Sequence, residues 1–329
     1  MKKAVTFILM ISVLSFSSCD KIQNTENESS LSIVSNAASP AETSSESEES
    51  FIDTWNYTPP TSDNPMAICN VFPDPYFALD VAGALSKEVT AVVTYEELAN
   101  YKGGINCGPS PLKSIEGIGF LKGITSFSSS KNDLEIIPAE FGGLIDITSI
   151  NLLKAYSVKK LSDEIVNLKK LEFFRVDMTS LEELPAGIGG CEKLRILNVA
   201  NTQIKSLPTE IGNLKNLEFL DLHSNDIDSV PDSICSLINL KILDIGYTKL
   251  KSVPKNIGSL TELIRLDLFG CQLKTLPASL KDLKKLRYLN VYDNFDLNED
   301  YMKWFDPKVF TCVDDPSDDE DWAKWYFNE

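Results

Sequence analysis

The sequence predicts an α/β solenoid, a row of stacked coils that each contribute one short strand, with a helical cap at the start. Three observations point there. Between Ile124 and Asn294 one pattern recurs, its leading aliphatic position falling at Ile124, Ile147, Leu171, Leu194, Leu217, Leu240, Leu263 and Leu286. The step is 23 residues, except for 24 between Ile147 and Leu171, and a period of this length kept over many copies marks a solenoid. Within a copy, inward and outward residues alternate, as in Phe219-Leu220-Asp221-Leu222-His223, the pattern of a strand with one buried face.

Composition narrows the class of partner. The chain has 329 residues, 43% of them hydrophobic, enough for a long core shared between neighbouring coils, so length alone sets no domain count. Formal net charge is −17, and loss of residues 1–18 would remove Lys2 and Lys3 and no acid, leaving −19. Such a balance argues against nucleic acid and against charge-driven attachment to anionic lipid, and it favours basic or neutral partners.

Met1-Lys2-Lys3 is a short basic start, Ala4 to Phe16 is almost wholly apolar, and Ser17-Ser18-Cys19 follows. The run is too short to span a bilayer and has the order of a secretory signal. It resembles a bacterial lipoprotein signal, which implies that residues 1–18 are removed and Cys19 becomes the acylated N-terminus. Ordinary cleavage near Ser18 is the alternative. Residues 19–65, rich in Ser, Glu, Asn, Thr and Pro, bury too little to offset their ordering entropy and read as a disordered tether. The aromatic island Phe51, Trp55, Tyr57 either docks on the folded part or is incidental to the tether.

Residues 66–119 read as a cap with a degenerate first repeat. Val71-Phe-Pro-Asp-Pro75 is rich in turn formers, and Tyr76 to Leu85 reads as a short helix with Phe77, Val81 and Leu85 on one side. Thr94-Tyr-Glu-Glu97 fits a capping box, with Leu98 and Tyr101 following and Gly103-Gly104 closing that helix. Lys102 to Gly119 then carries Ile105, Cys107, Leu112, Ile115 and Ile118 at repeat-like spacing. This order looks like the opening segment of internalin-type bacterial surface proteins. Cys69 and Cys107 flank the cap; they stand either as a disulfide of an oxidising compartment or as separate thiols. Cys191, Cys235 and Cys271 fall inside the repeats as small buried hydrophobes.

In the repeats, residues 120–297, each strand is followed by a small turn residue: Asn132, Thr179, Thr202, Asn225, Thr248, Cys271 or Asn294. An asparagine amide there bonds main chain both ways. Ala155 falls at that position in the second copy, and the extra residue in Tyr156-Ser157-Val158 predicts a bulge. The return leg carries Ile137-Pro138, Leu184-Pro185, Leu207-Pro208, Val230-Pro231, Val253-Pro254 and Leu276-Pro277. Proline lacks a donor and has a fixed φ, so it suits a leg with no ladder to join. These residues resemble the leucine-rich repeat family in its 23-residue LPxxIGxLxxLxxLxLxxN form. That resemblance implies a curved right-handed solenoid with a parallel sheet on the concave face and an irregular or short helical convex side. It also implies work as a protein-binding scaffold. Residues 298–329 read as a C-terminal cap built on Tyr301, Trp304, Phe305 and Phe310. An acidic run at 314–321, either solvated or drawn to cations, and the aromatic stretch Trp322 to Phe327 come after it.

The strand alternation sets out three concave columns. The first is Ser126, Ser149, Phe173, Ile196, Phe219, Ile242, Arg265, Tyr288. The second is Ser128, Asn151, Arg175, Asn198, Asp221, Asp244, Asp267, Asn290. The third is Ser130, Leu153, Asp177, Ala200, His223, Gly246, Phe269, Tyr292. Phe173 to Ile242 reads as an apolar stripe, either an exposed interaction patch or ordinary strand formers. Asp221, Asp244 and Asp267 in successive strands repel one another and need compensation, part of it from Arg265. With Phe219, Phe269 and Tyr292 they form a candidate site for a basic or aromatic-rich protein segment, and reversing all three charges should weaken capture. His223 is the only histidine; a catalytic pairing with Asp221 or Asp244 and Ser224 lacks an oxyanion-binding turn, so His223 reads as a recognition residue.

The whole reads as a non-enzymatic, monomeric, lipid-anchored scaffold of the bacterial cell envelope, an outer membrane lipoprotein facing periplasm or medium. It needs no cofactor or metal, and it touches membrane only through its anchor. A glycan- or small-nutrient-binding lipoprotein and a structural envelope spacer are the alternatives.

Overall fold

The computed structural model describes residues 60–304. The signal at 1–18, Cys19, the tether before residue 60 with its aromatic island, Phe305, Phe310, the acidic run and the aromatic stretch at 322–327 lie outside those residues.

The cap comes first. β1 (Met66–Ala67) pairs antiparallel with β2 (Val92–Val93), and between them lie α1 (Ile68–Val71) and α2 (Pro75–Ala84). Turn chemistry accounts for α2. Pro75 sits in its first turn, and Asp74 Oδ1 accepts from the N–H groups of Tyr76 and Phe77 at 2.9 and 3.2 Å, satisfying donors that a helix start otherwise leaves open. The other Asp74 oxygen accepts from Lys113 and Ser114 N–H at 2.9 and 3.1 Å, tying the cap to the first repeat. Phe77 and Val81 are fully buried. α1 was hidden in the sequence because four residues are too few to show a period. In α3 (Tyr95–Asn100) Thr94 accepts from Glu97 N–H at 3.2 Å, half of the expected box. The Glu97 carboxylate goes instead to Lys87, at 2.6 Å.

The remaining strands form one parallel sheet in chain order: β3 (Gly104–Cys107), β4 (Ser126–Ser129), β5 (Ser149–Asn151), β6 (Phe173–Arg175), β7 (Ile196–Asn198), β8 (Phe219–Asp221), β9 (Ile242–Asp244), β10 (Arg265–Asp267) and β11 (Tyr288–Asn290). It lines the concave side of a right-handed solenoid. From β4 onward the partners in register are the first two columns read from the sequence. In one copy Leu217, Leu220, Leu222, Ile227, Ile234 and Leu237 are all at 0% exposure, each burial contributing about 1.5–3 kcal/mol. Asn225 works as expected: its Nδ2 donates to Val199 and Leu222 carbonyls at 2.9 and 2.8 Å, and its Oδ1 accepts from Thr202 N–H at 3.1 Å. The expected bulge is absent. β5 and β6 pair without a break, and the extra residue lies in a turn at Tyr156–Ser157, closed by Val158 N–H to the Ala155 carbonyl at 3.1 Å. A turn outside the ladder absorbs one residue without shifting any side chain to the wrong face.

The residue before the small turn position has a left-handed backbone in every repeat, at Lys131, Lys154, Met178, Asn201, Ser224, Tyr247, Gly270 and Asp293. On the convex side each proline leads into a short 3-10 turn, such as Thr209–Asn213 after Pro208. The glycine of Ile211-Gly212 lets neighbouring turns approach, since a Cβ there would meet the Ser233 carbonyl oxygen at 2.5 Å. Gly212→Val should therefore destabilise the domain by about 2 kcal/mol or more through overpacking. The urea midpoint checks this, and an unchanged midpoint would show the stacking to be looser than it looks.

Cys69 and Cys107 are separate thiols, the first exposed and the second buried. Burial and the neighbouring Asp80 hold the Cys107 thiol far above its usual range.

Candidate functional site on the concave face

The first column is packed more tightly than its sequence suggested. Phe173, Ile196, Arg265 and Tyr288 are half-buried, but Phe219 and Ile242 are only 3% and 2% exposed. The expected open apolar stripe is therefore corrected at its centre. Strands about 4.8 Å apart press each side chain against those above and below it. A charged row stands one residue earlier in four successive copies: Glu172, Arg195, Glu218 and Lys241. Glu218 takes both Arg195 and Lys241, at 2.7 and 2.8 Å. These residues, with Lys193, Asn216 and Asn239, border an open hollow of about 500 Å³. Sequence reading missed the row, although the charges change sign at 23-residue steps.

The second column is governed by hydrogen bonds within each strand exit. Asn151, Asn198, Asp221, Asp244, Asp267 and Asn290 each use Oδ1 to accept the N–H two residues on, at 2.8–3.1 Å. Asn198, Asp221, Asp267 and Asn290 are buried, while Ser128, Asn151, Arg175 and Asp244 stay partly open; the expectation of an exposed column is corrected at those four buried positions. Two arginines compensate two acids from adjacent columns. Arg175 holds Asp177, itself buried, and Arg265 holds Asp267 at 3.0 Å while lying over the Tyr288 ring at 3.9 Å. Asp221 and Asp244 have no Lys or Arg ion pair among the described residues. Burial pushes the Asp221 carboxyl up to about 7, with Asp177 and Asp267 adding to the rise against its hydrogen bond from His223 and the charge of Arg175. Asp244 is raised well above the carboxylate range by burial, then by Asp267 and Asp221.

The third column carries rings. His223 Nδ1 lies 3.9 Å from Asp244 Oδ1, and the imidazole meets Tyr247 edge-on at 5.1 Å. Tyr247 contacts Phe269 at 4.5 Å, and Phe269 stacks on Tyr292 at 5.7 Å. Tyr247 and Tyr292 are about half exposed, at 49% and 51%, whereas Phe269 is buried, another correction to the expected face. Tyr247 was missed because it falls one residue beyond the strand columns, on the left-handed turn with φ 51°. A bulky aromatic seldom adopts that backbone. Tyr247→Asn should relieve about 1 kcal/mol of strain and forfeit a similar amount of ring contact. The expected result is a thermal midpoint within a few degrees of wild type; a fall of more than 10 °C would show the ring to be a structural prop.

Residues 187–305 match the leucine-rich repeat region family, and residues 53–99 match the family described as bacterial adhesion/invasion protein N terminal. The chain is a leucine-rich repeat protein with an internalin-like N-terminal cap. A leucine-rich repeat protein of Leptospira interrogans is similar at 29% identity and a TM-score of 0.56, over 62% of this chain and 55% of that one; this chain thus spans little more than half of that protein. Internalin C2 of Listeria monocytogenes is similar at 22% identity and a TM-score of 0.46, over 64% of this chain and 97% of that one. The functional domain of InlJ from Listeria monocytogenes, which includes a cysteine ladder, is similar at 18% identity and a TM-score of 0.40, over 71% and 63%. Among curated proteins none matches this chain. No helix among the described residues is long and apolar enough to cross a membrane.

Proposed function

We propose that this protein is a lipid-anchored scaffold of the bacterial cell envelope that recognises a protein or peptide partner on its concave face, with acylated Cys19 as the anchor and a basic or aromatic segment as the ligand. One observation carries the reading. In the second column Asn151, Asn198 and Asn290 make the same fold-back bond as the aspartates. The fold therefore has no need of charge at Asp221 and Asp244, yet both carboxylates are kept without a Lys or Arg pair, at a cost in desolvation. A basic partner would offset that cost. Charge reversal of these buried positions would test folding more than docking, so it is a poor probe.

A photoreactive residue placed at Tyr292 on the concave face, or at exposed Ile238 on the loop before β9, tests the reading in cells expressing the full chain. Protein adducts from position 292 but not from 238 are expected; adducts from 238 alone would overturn it. The exposed rings of Tyr247 and Tyr292 favour the second reading, a glycan ligand, and a glycan adduct at 292 would select it. Fatty-acid labelling that Cys19→Ser abolishes would support the anchor; labelling that survives the substitution would refute it.

A further inference from the structure

Between His223 and Phe269 the third column has no side chain at all, because Gly246 occupies its position. A Cβ built on Gly246 would meet Asp244 Oδ1 at 3.2 Å, Asp267 Oδ1 at 3.4 Å and His223 Nδ1 at 3.4 Å. Three acceptor-bearing groups therefore crowd in over one stretch of backbone, and any larger residue would push between them or cover them. Gly246 has no positive φ, so its backbone does not require glycine. Among the three groups, the Asp244 and His223 side chains remain 19% and 33% exposed and can be reached from solvent.

The surroundings suit an organic cation. Tyr247 and Tyr292 stand half exposed on the same side, with Phe269 between them. Aromatic faces attract weakly hydrated ammonium groups once these are desolvated. A second observation is independent of the glycine. Asp221, in register beside Asp244, is only 6% exposed. One of its oxygens accepts the His223 N–H at 3.0 Å, and among the described residues the other has no hydrogen bond and no ion pair. Arg265, the nearby cation, is committed to Asp267 and to the ring of Tyr288. Two carboxylates, Asp221 and Asp244, without a Lys or Arg ion pair among the described residues and beside two half-exposed tyrosines are complementary to one positive group arriving from outside.

We infer that the partly exposed Asp244 carboxylate, beside buried Gly246, seats the ammonium of a partner lysine, with Asp221 and Asp267 supplying charge below, and Tyr247 and Tyr292 as walls. This rests on the concave-face reading above and names the group that is recognised there. Lysine rather than arginine follows from the geometry: a compact, three-donor point charge fits convergent single acceptors, whereas a planar fork needs a carboxylate presented edge-on with both oxygens open, and Asp244 Oδ1 is already engaged by Gly246 N–H at 2.8 Å.

His223 is the only histidine in the chain, so its ring resonances report on this one spot without assignment. Titrating the full chain with a glycine-flanked single-lysine peptide should give a saturable shift of the His223 ring. Gly246→Ala, and separately Asp244→Asn, should weaken the peptide at least about fivefold. Asp226→Asn with Asp228→Asn, two exposed acids outside the face, should leave it within about twofold despite the loss of two charges. An equal response to the Nε-acetyl-lysine peptide, equal or tighter binding of the arginine peptide, or competition by calcium at equimolar amounts would each overturn the assignment. If the His223 ring stays silent while position 292 still gives protein adducts, the lysine seat is wrong and the concave-face reading stands. If both fail, both are wrong.

Discussion

Asn225→Ala should cost the domain on the order of 3 kcal/mol and shift its urea midpoint accordingly. The Asn225 amide closes four interactions in the interior: Val199 and Leu222 carbonyls on one side, Thr202 N–H and hydroxyl on the other. Truncation leaves these groups buried with water excluded, and each uncompensated buried group costs about 1–3 kcal/mol. Relaxation and shared acceptors reduce the sum. Ala155 shows how an alanine is tolerated at the same position: its own copy has an extra residue, and a local turn bonds Ala155 N–H to Leu152 and Val158 N–H to Ala155. Asn225 has no such turn, so a loss below about 1 kcal/mol would mean that the neighbouring copies re-form one.

The second large effect has the opposite sign. Asp221→Asn together with Asp244→Asn should stabilise the free domain at pH 8 and abolish capture by the concave face. Asparagine keeps the fold-back bond, as it does at 151, 198 and 290. The pH dependence follows from linkage. An unfolded aspartate titrates near 3.9, whereas Asp221 in the fold is pushed up to about 7 and Asp244 moves the same way. The folded state therefore holds protons that the unfolded state releases. Below about pH 4 the two states are protonated alike and nothing is lost; as pH rises through about 7 the fold becomes progressively less stable. The double variant removes that decline, and the gain expected at pH 8 is on the order of 3 kcal/mol, with little change at pH 4. Urea unfolding at the two pH values measures it. A variant less stable at pH 8 would mean that the carboxylates hold the fold together.

Much of this architecture was legible because a solenoid repeats its evidence. A single Leu220-Asp221-Leu222 triplet would be ambiguous; eight at fixed spacing define strand, register and face. The first two columns were legible for the same reason. Burial across the columns was not. Alternation says which way Phe219 points, but not that its neighbours in a parallel sheet leave it 3% exposed. The left-handed turn was also hidden, because Lys131, Met178, Ser224 and Tyr247 share no chemistry that betrays a positive φ. With it went Tyr247, the ring that joins His223 to Phe269. The role of Gly246 was silent as well, since a glycine in a column reads as a gap until the distances show what surrounds it.

The claim on which the functional reading turns is that Asp221 and Asp244 are charges held ready for a partner. The direct measurement is a pH titration of the aspartate carboxyl carbons in the free protein, assigned with the two single Asn variants. A midpoint near 7 for Asp221, and one well above 4 for Asp244, is the expected result. Midpoints at or below about 4 for both would mean that these carboxylates are comfortably solvated or already paired, and would remove the reason for a basic partner on this face.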